Sequence, residues 1–182
     1  MKILIACEMS GRVREAFRKK GHEAYSCDLL DSLDASPYHI KGDVLEILGQ
    51  GWDLIVAHPP CTHLTVAGNR WYSDKLDLIQ EAADFAKIFM NHSDKVCIEN
   101  PVGRLSTFWR KPDQYIQPWM FGHRETKRTG LWLKNLPRLK PTNIVEDPYE
   151  QRIWKMGPSK DRAMLRSLTY QGIADAMAEQ WS

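Results

Sequence analysis

The chain has 182 residues, of which 43% are hydrophobic and 26% charged, with a net charge of +2. That length suffices for one domain with a full core, so residues 1–182 read as a single unit. No apolar run approaches the ~20 residues that span a bilayer, which argues against a membrane partner, and the near-neutral total gives no polyelectrolyte signature of a nucleic-acid binder. The stretch 124–166 is locally rich in Lys and Arg. It reads equally as a phosphate-facing surface or as a solvated one.

Residues 1–7 turn polar too soon for a signal peptide and read as a buried strand, so a cytoplasmic location is expected. The four cysteines, Cys7, Cys27, Cys61 and Cys97, show no Cys-x-x-Cys spacing, and no metal site is expected. Strand 2–7 is followed by a helix over 11–20, with Val13, Ala16 and Phe17 on one face, Ser10 as its cap and Gly21 as its stop. Strands follow at 23–27 and 40–44. The run 53–57 is apolar without alternation, as in a parallel strand covered on both faces. A helix is predicted over 74–91, with Leu78, Ala82, Phe85, Ile88 and Phe89 aligned, then a strand over 95–99. Beyond Gly103 the pattern loosens among Trp and Pro residues. A strand is expected at 129–133, an irregular stretch at 136–160, and a helix at 172–181.

Alternation of strand and helix predicts an α/β fold with a doubly wound, mostly parallel sheet. Such sheets bind ligands at the carboxyl ends of their strands. The polar residues that stand out fall at those ends: Cys7-Glu8, Asp28, Asp43, Pro59-Pro60-Cys61 and Glu99-Asn100. Two prolines stiffen the approach to Cys61, and a stiff loop holds a nucleophile with little ordering entropy left to lose. Glu99 ends the following strand, so a thiol and a carboxyl would share one cleft. Spacing alone also permits a core cysteine beside a capping or surface glutamate. Trp119, Trp132 and Trp154 are either core residues or base-stacking platforms. His58 and His63 flank the thiol, either tuning it, gripping a phosphate or packing.

Taken together, these segments resemble the DNA cytosine-C5 methyltransferases, in that family's order and over nearly the whole chain. Pro59-Pro60-Cys61 is similar to the nucleophile motif, Glu99-Asn100-Pro101-Val102-Gly103 to the Glu-Asn-Val motif, and Gly42-Asp43-Val44 to the Gly-Asp-Ile that meets the cofactor's adenine. Asp28 stands where an acid meets the cofactor ribose. His123-Arg124-Glu125-Thr126-Lys127-Arg128 loosely resembles the Gln-x-Arg-x-Arg element, and Tyr170-Gln171-Gly172-Ile173-Ala174 the closing element. The resemblance implies a class I S-adenosylmethionine-dependent methyltransferase fold of Rossmann-like type. Cys61 would be the thiolate, favoured by a helix N-terminus or nearby cations. Glu99 would be protonated or share a proton with ring N3, and Arg128 would hold the ring O2. Pro60, Asn100 and Lys127 would lie along the substrate. Cys7, Glu8, Ser10, Gly11, Asp28, Asp43 and Pro59 would line S-adenosylmethionine.

Three departures qualify the resemblance. The first loop reads Ala6-Cys7-Glu8-Met9-Ser10-Gly11, with one glycine where the family has Phe-x-Gly-x-Gly-Gly. Pro101 replaces Val. The region 134–168 is a short loop-rich stretch in place of a large target-recognition domain. DNA is then one expected partner and a free pyrimidine nucleotide another, with a homodimer as one source of sequence preference. A non-catalytic module that binds nucleic acid or protein is the alternative of another class. A dinucleotide-dependent dehydrogenase ranks low because no Gly-x-Gly-x-x-Gly element is present.

Overall fold

The structure is a computed structural model that describes residues 1–65, 73–147, 150–157, 159–160 and 162–182. The side chains of Ser73, Ile153, Trp154 and Ala163 lie outside the described set, so the stacking role considered for Trp154 does too. Five strands run parallel: β1 (Lys2–Ala6), β2 (Glu23–Asp28), β3 (His39–Lys41), β4 (Leu54–Ala57) and β5 (Lys95–Pro101). Two more, β6 (Gln114–Ile116) and β7 (Thr129–Lys134), complete a seven-stranded sheet of order β3-β2-β1-β4-β5-β7-β6. β7 runs antiparallel to both of its neighbours. The protein is thus α/β with a mixed, mostly parallel sheet, compatible with a Rossmann-like fold.

The strands form where the apolar runs predicted them because both sheet faces are covered. On one face Ile3, Ile5, Leu54, Val56 and Cys97 pack under α1 (Arg12–Lys19) and the C-terminal helix (Gln171–Gln180), through Val13, Phe17, Ile173 and Met177. On the other, Leu4, Ile55, Val96 and Ile98 meet Ile79, Ala83, Ala86 and Phe89 of α2 (Leu76–Ile88) and the turn that follows it. Alternate residues of β1 and β4 therefore point to opposite faces, yet all are buried. Among the described residues, no helix is long and apolar enough to cross a membrane.

Strand order reverses between β1 and β4, which places a crevice at their carboxyl ends. The loop after β1 is built around one glycine and one buried arginine. Gly11, not Ser10, precedes α1, in a left-handed conformation at φ 73°. A Cβ there would collide with Arg14 and Asp34. Arg14 is wholly buried. It donates to Glu15 at 2.9 Å, to Ser26 at 2.6 Å and to Asp34. Ser10 instead turns its hydroxyl to the Glu8 carboxylate while accepting the Arg12 amide at 3.3 Å. Gly21, at φ 85°, ends the helix as expected.

Candidate active site

Two strand tips are clamped together beside the crevice. After β4 the chain runs His58-Pro59-Pro60-Cys61, and the Cys61 carbonyl accepts the amides of Leu64 and Thr65, both at 3.0 Å. β5 holds this turn at three points. Glu99 Oε2 lies 3.0 Å from His58 Nδ1. Asn100, buried to 1% exposure, donates through Nδ2 to the Pro59 carbonyl at 2.9 Å. Gly103 lies so close that a Cβ would stand 1.9 Å from the Leu64 carbonyl oxygen, while Arg104 donates its amide to that oxygen at 2.6 Å. These contacts explain why the polar and glycine residues of 99–104 occur as one run. Together they hold the His58 ring, the Pro59 carbonyl and the Leu64 carbonyl of the cysteine loop, whose prolines supply no amide donors of their own.

Glu99 faces His58, Thr129 and Lys127. Burial pushes its carboxyl up, but the His58 hydrogen bond and charge, Lys127 and the Thr129 hydroxyl together outweigh burial and hold it below its ordinary value. The resting group is therefore held on its carboxylate side, whereas the protonated or N3-proton-sharing Glu99 expected belongs to a bound ring. His58 Nε2 and Asn100 Oδ1 are buried and find no hydrogen-bond partner among the described residues.

Cys61 is half-buried, and burial, then the Glu99 charge, raise its thiol above the ordinary value. Lys127 and Arg166 oppose that shift without overcoming it. The attacking thiolate expected of Cys61 therefore has to form against this shift. The Cys61 thiol therefore feels the charges of both Glu99 and Lys127.

The cation beside Glu99 is Lys127, two residues ahead of β7. Side chains alternate along an extended segment, so Lys127 and Thr129 face Glu99 while Arg128 points away. The Arg128 guanidinium stacks over Tyr115, 4.0 Å from the ring centroid. Pairing of Pro101 with Thr129 sets this register. Glu99, Lys127 and Thr129 line a narrow cavity closed by Ser167, Thr169 and Tyr170. That C-terminal strap is tied down by Lys127 Nζ to the Arg166 carbonyl at 2.9 Å and by Arg12 Nη1 to the Thr169 carbonyl at 2.7 Å. Tyr170 donates its hydroxyl to buried Glu125, which also takes Arg152 Nε at 2.6 Å. Gly172 donates to His123 Nε2 at 3.0 Å and sits where a Cβ would be 1.9 Å from the Phe121 carbonyl.

The second polar group lies across the crevice, at the ends of β1, β2 and β3. Burial, then Asp28, Cys27 and Asp43, push the Cys7 thiol up to about 12, so it is inert. Asp28 accepts the Leu30 amide at 3.0 Å and Asp43 the Leu45 amide at 2.9 Å. Each aspartate thus shapes the turn after its strand. Leu29, Leu30 and Leu45 are exposed beside them at 72%, 58% and 45%. Glu8 is 6% exposed.

Trp132 is fully buried and stacked on Trp109, so it belongs to the core. Of the Lys and Arg residues in 124–166, several are committed internally: Lys127 to the strap, Arg152 to Glu125, and Lys134 to the Met90 and Ser93 carbonyls. Among the described residues, no three His, Cys, Asp or Glu side chains gather as a metal site would. Tyr170 and Glu125 fall in segments that the motif resemblance singled out, but their pairing and the Arg12 tie to Thr169 had no signal in the sequence, because they join segments far apart along the chain. The chain matches no protein-family model and no curated protein.

Proposed function

We propose that the protein is a pyrimidine C5-methyltransferase-type enzyme of the class I S-adenosylmethionine-dependent type, methylating cytosine in DNA through an adduct at Cys61. One observation carries the reading most: a thiol, a carboxylate and a lysine from three segments converge in one electrostatic neighbourhood at the sheet's carboxyl edge. The motif resemblance and the reversed β7 between β5 and β6 support it.

On this reading Cys61 loses its proton and its sulfur bonds to ring C6, which makes C5 nucleophilic. Glu99 accepts a hydrogen bond from the exocyclic amine. His58, already bonded to Glu99, is placed to pass it the proton that ring N3 takes up. Lys127 offsets charge developing on the ring, the task that Arg128 is too far turned to perform. After methyl transfer a base takes the C5 proton, the C5–C6 double bond reforms, N3 returns its proton to Glu99 and His58, and the thiolate leaves and is reprotonated from solvent. A duplex target base must be flipped out to reach Cys61.

S-adenosylmethionine supplies the electrophilic methyl when bound, and the β1–β3 end fits it by its donor set. Asp28 and Asp43 offer acceptors for ribose hydroxyls and an amine, beside exposed Leu29 and Leu45 for an apolar ring. The same active site acting on a free pyrimidine nucleotide is the second reading, favoured by the short stretch 134–168 where a large target-recognition domain would stand. Nucleoside mass spectrometry after incubation with isotopically labelled cofactor, on oligonucleotides and free nucleotides in parallel, tests both. Label at C5 is expected with wild type and none with Cys61→Ala of unchanged circular dichroism. Label persisting in Cys61→Ala rules the mechanism out.

A further inference from the structure

The loop after β1 contains a charge that the protein itself leaves unanswered. Glu8 is 6% exposed, and its Oε1 is engaged by the Ser10 hydroxyl. Its Oε2 is buried and has no hydrogen-bond partner among the described residues. No described residue forms an ion pair with it, although Arg12 and Arg14 follow closely in the chain. Arg14 is consumed by Ser26, Glu15 and Asp34, and Arg12 reaches the Thr169 carbonyl.

A buried carboxylate oxygen without a partner forfeits the hydration it would have in water. Elsewhere this protein answers its buried carboxylates fully. Glu125 has Arg152 and Tyr170, and Glu99 has His58 and Thr129. Glu8 also shares its end of the sheet with Asp28 and Asp43, both close enough to act on the neighbouring Cys7 thiol. The local field is negative and therefore complementary to a cation.

We propose that Glu8 is an ammonium-binding carboxylate whose Oε2 receives the amine of the ligand held at the tips of β1, β2 and β3. Resting on the cofactor reading above, this assigns Oε2 to the α-ammonium of S-adenosylmethionine. Glu8 then serves as a recognition element in its own right, where a glycine would offer only backbone. The amine donates to Oε2, while Ser10 donates to the other oxygen and pins that end of the carboxylate. A ligand with the adenosine part but no amine loses this contact and keeps those at Asp28 and Asp43.

Calorimetric titration tests the assignment with three probes: S-adenosylhomocysteine, its decarboxylated amine form, and 5′-methylthioadenosine, which lacks the amino-acid part. A charge-assisted hydrogen bond in a buried site corresponds to about tenfold or more in affinity. Glu8→Gln, which keeps the shape and removes the charge, is expected to weaken the two amine-bearing probes by about that factor. 5′-Methylthioadenosine should bind as it does to wild type. Equal weakening of all three probes, or wild-type binding of the amine probes by Glu8→Gln, overturns the assignment. Loss confined to S-adenosylhomocysteine overturns it too, because the carboxylate would then be the group recognised. If wild type binds none of the three, the cofactor reading fails and takes this inference with it, a pattern distinct from the others.

Discussion

The two ends of the crevice are built on opposite plans. At β4 and β5 the carboxylate and the loop carbonyls are answered from within, Glu99 by His58, Thr129 and Lys127, the Pro59 carbonyl by Asn100 and the Leu64 carbonyl by Arg104, and the atoms left open, His58 Nε2 and Asn100 Oδ1, are uncharged amide or imidazole positions. At β1, β2 and β3 a buried carboxylate oxygen is left open and large leucines stand in solvent. A rigid constellation suits bond making, where small misplacements are costly in rate. Unanswered polar and apolar surface suits a binding site, where a ligand completes what the chain leaves undone.

Four substitutions or conditions sharpen this contrast. The largest effect is expected at Gly103→Ala, whose Cβ would meet Leu64 backbone at 1.9 Å, a contact that side-chain motion cannot relieve. Destabilisation of about 3 kcal/mol, with the cysteine loop displaced, should appear in urea unfolding. An unchanged midpoint would mean that the two strand tips are not locked. Asn100→Ala should cost about 2 kcal/mol in the same measurement, since it strands the buried Pro59 carbonyl.

Cys61 alkylation comes next. Only the thiolate reacts, and the thiol is held above its ordinary value. The iodoacetamide rate should therefore climb about tenfold per pH unit from pH 7 toward 9, and a plateau below pH 8 would show a resting thiolate instead. The smallest effect is expected at Leu29→Ser on the open side. Being 72% exposed, this side chain should change stability by less than about 0.5 kcal/mol. Weaker binding of an adenosine-bearing ligand, read by calorimetry, is expected all the same.

How far the sequence reaches can be judged residue by residue. β1, β4 and β5 were legible because unalternating apolar runs have few other uses, and the helix expected over 74–91 appears as Leu76–Ile88 with a short continuation. β6 was missed because three residues between Pro112 and Pro118 carry no period. Ser10 resembled a helix cap, yet Gly11 holds that place because the Arg14–Asp34 pair fills the space a side chain would need.

In the site, Cys61 and Glu99 were legible as residue types at successive strand ends. That Lys127 rather than Arg128 acts on Glu99 was not, since it depends on the antiparallel register of β7 against β5. The raised thiol and the lowered carboxyl were not either. Both are sums over burial and charges from distant segments: Glu99, Lys127 and Arg166 for one, His58 and Thr129 for the other.

The most direct test of a nucleophilic Cys61 is to block the last step. A fluorine at C5 cannot leave as a proton does, so an adduct formed by sulfur at C6 stays bound after methyl transfer. Intact-protein mass spectrometry after incubation with S-adenosylmethionine and 5-fluorocytosine, in an oligonucleotide or as the free nucleotide, should show one covalent increment. Peptide mapping should place it on Cys61, and Cys61→Ala should show none. An increment on another cysteine, or no increment with either form of the base, would contradict the account.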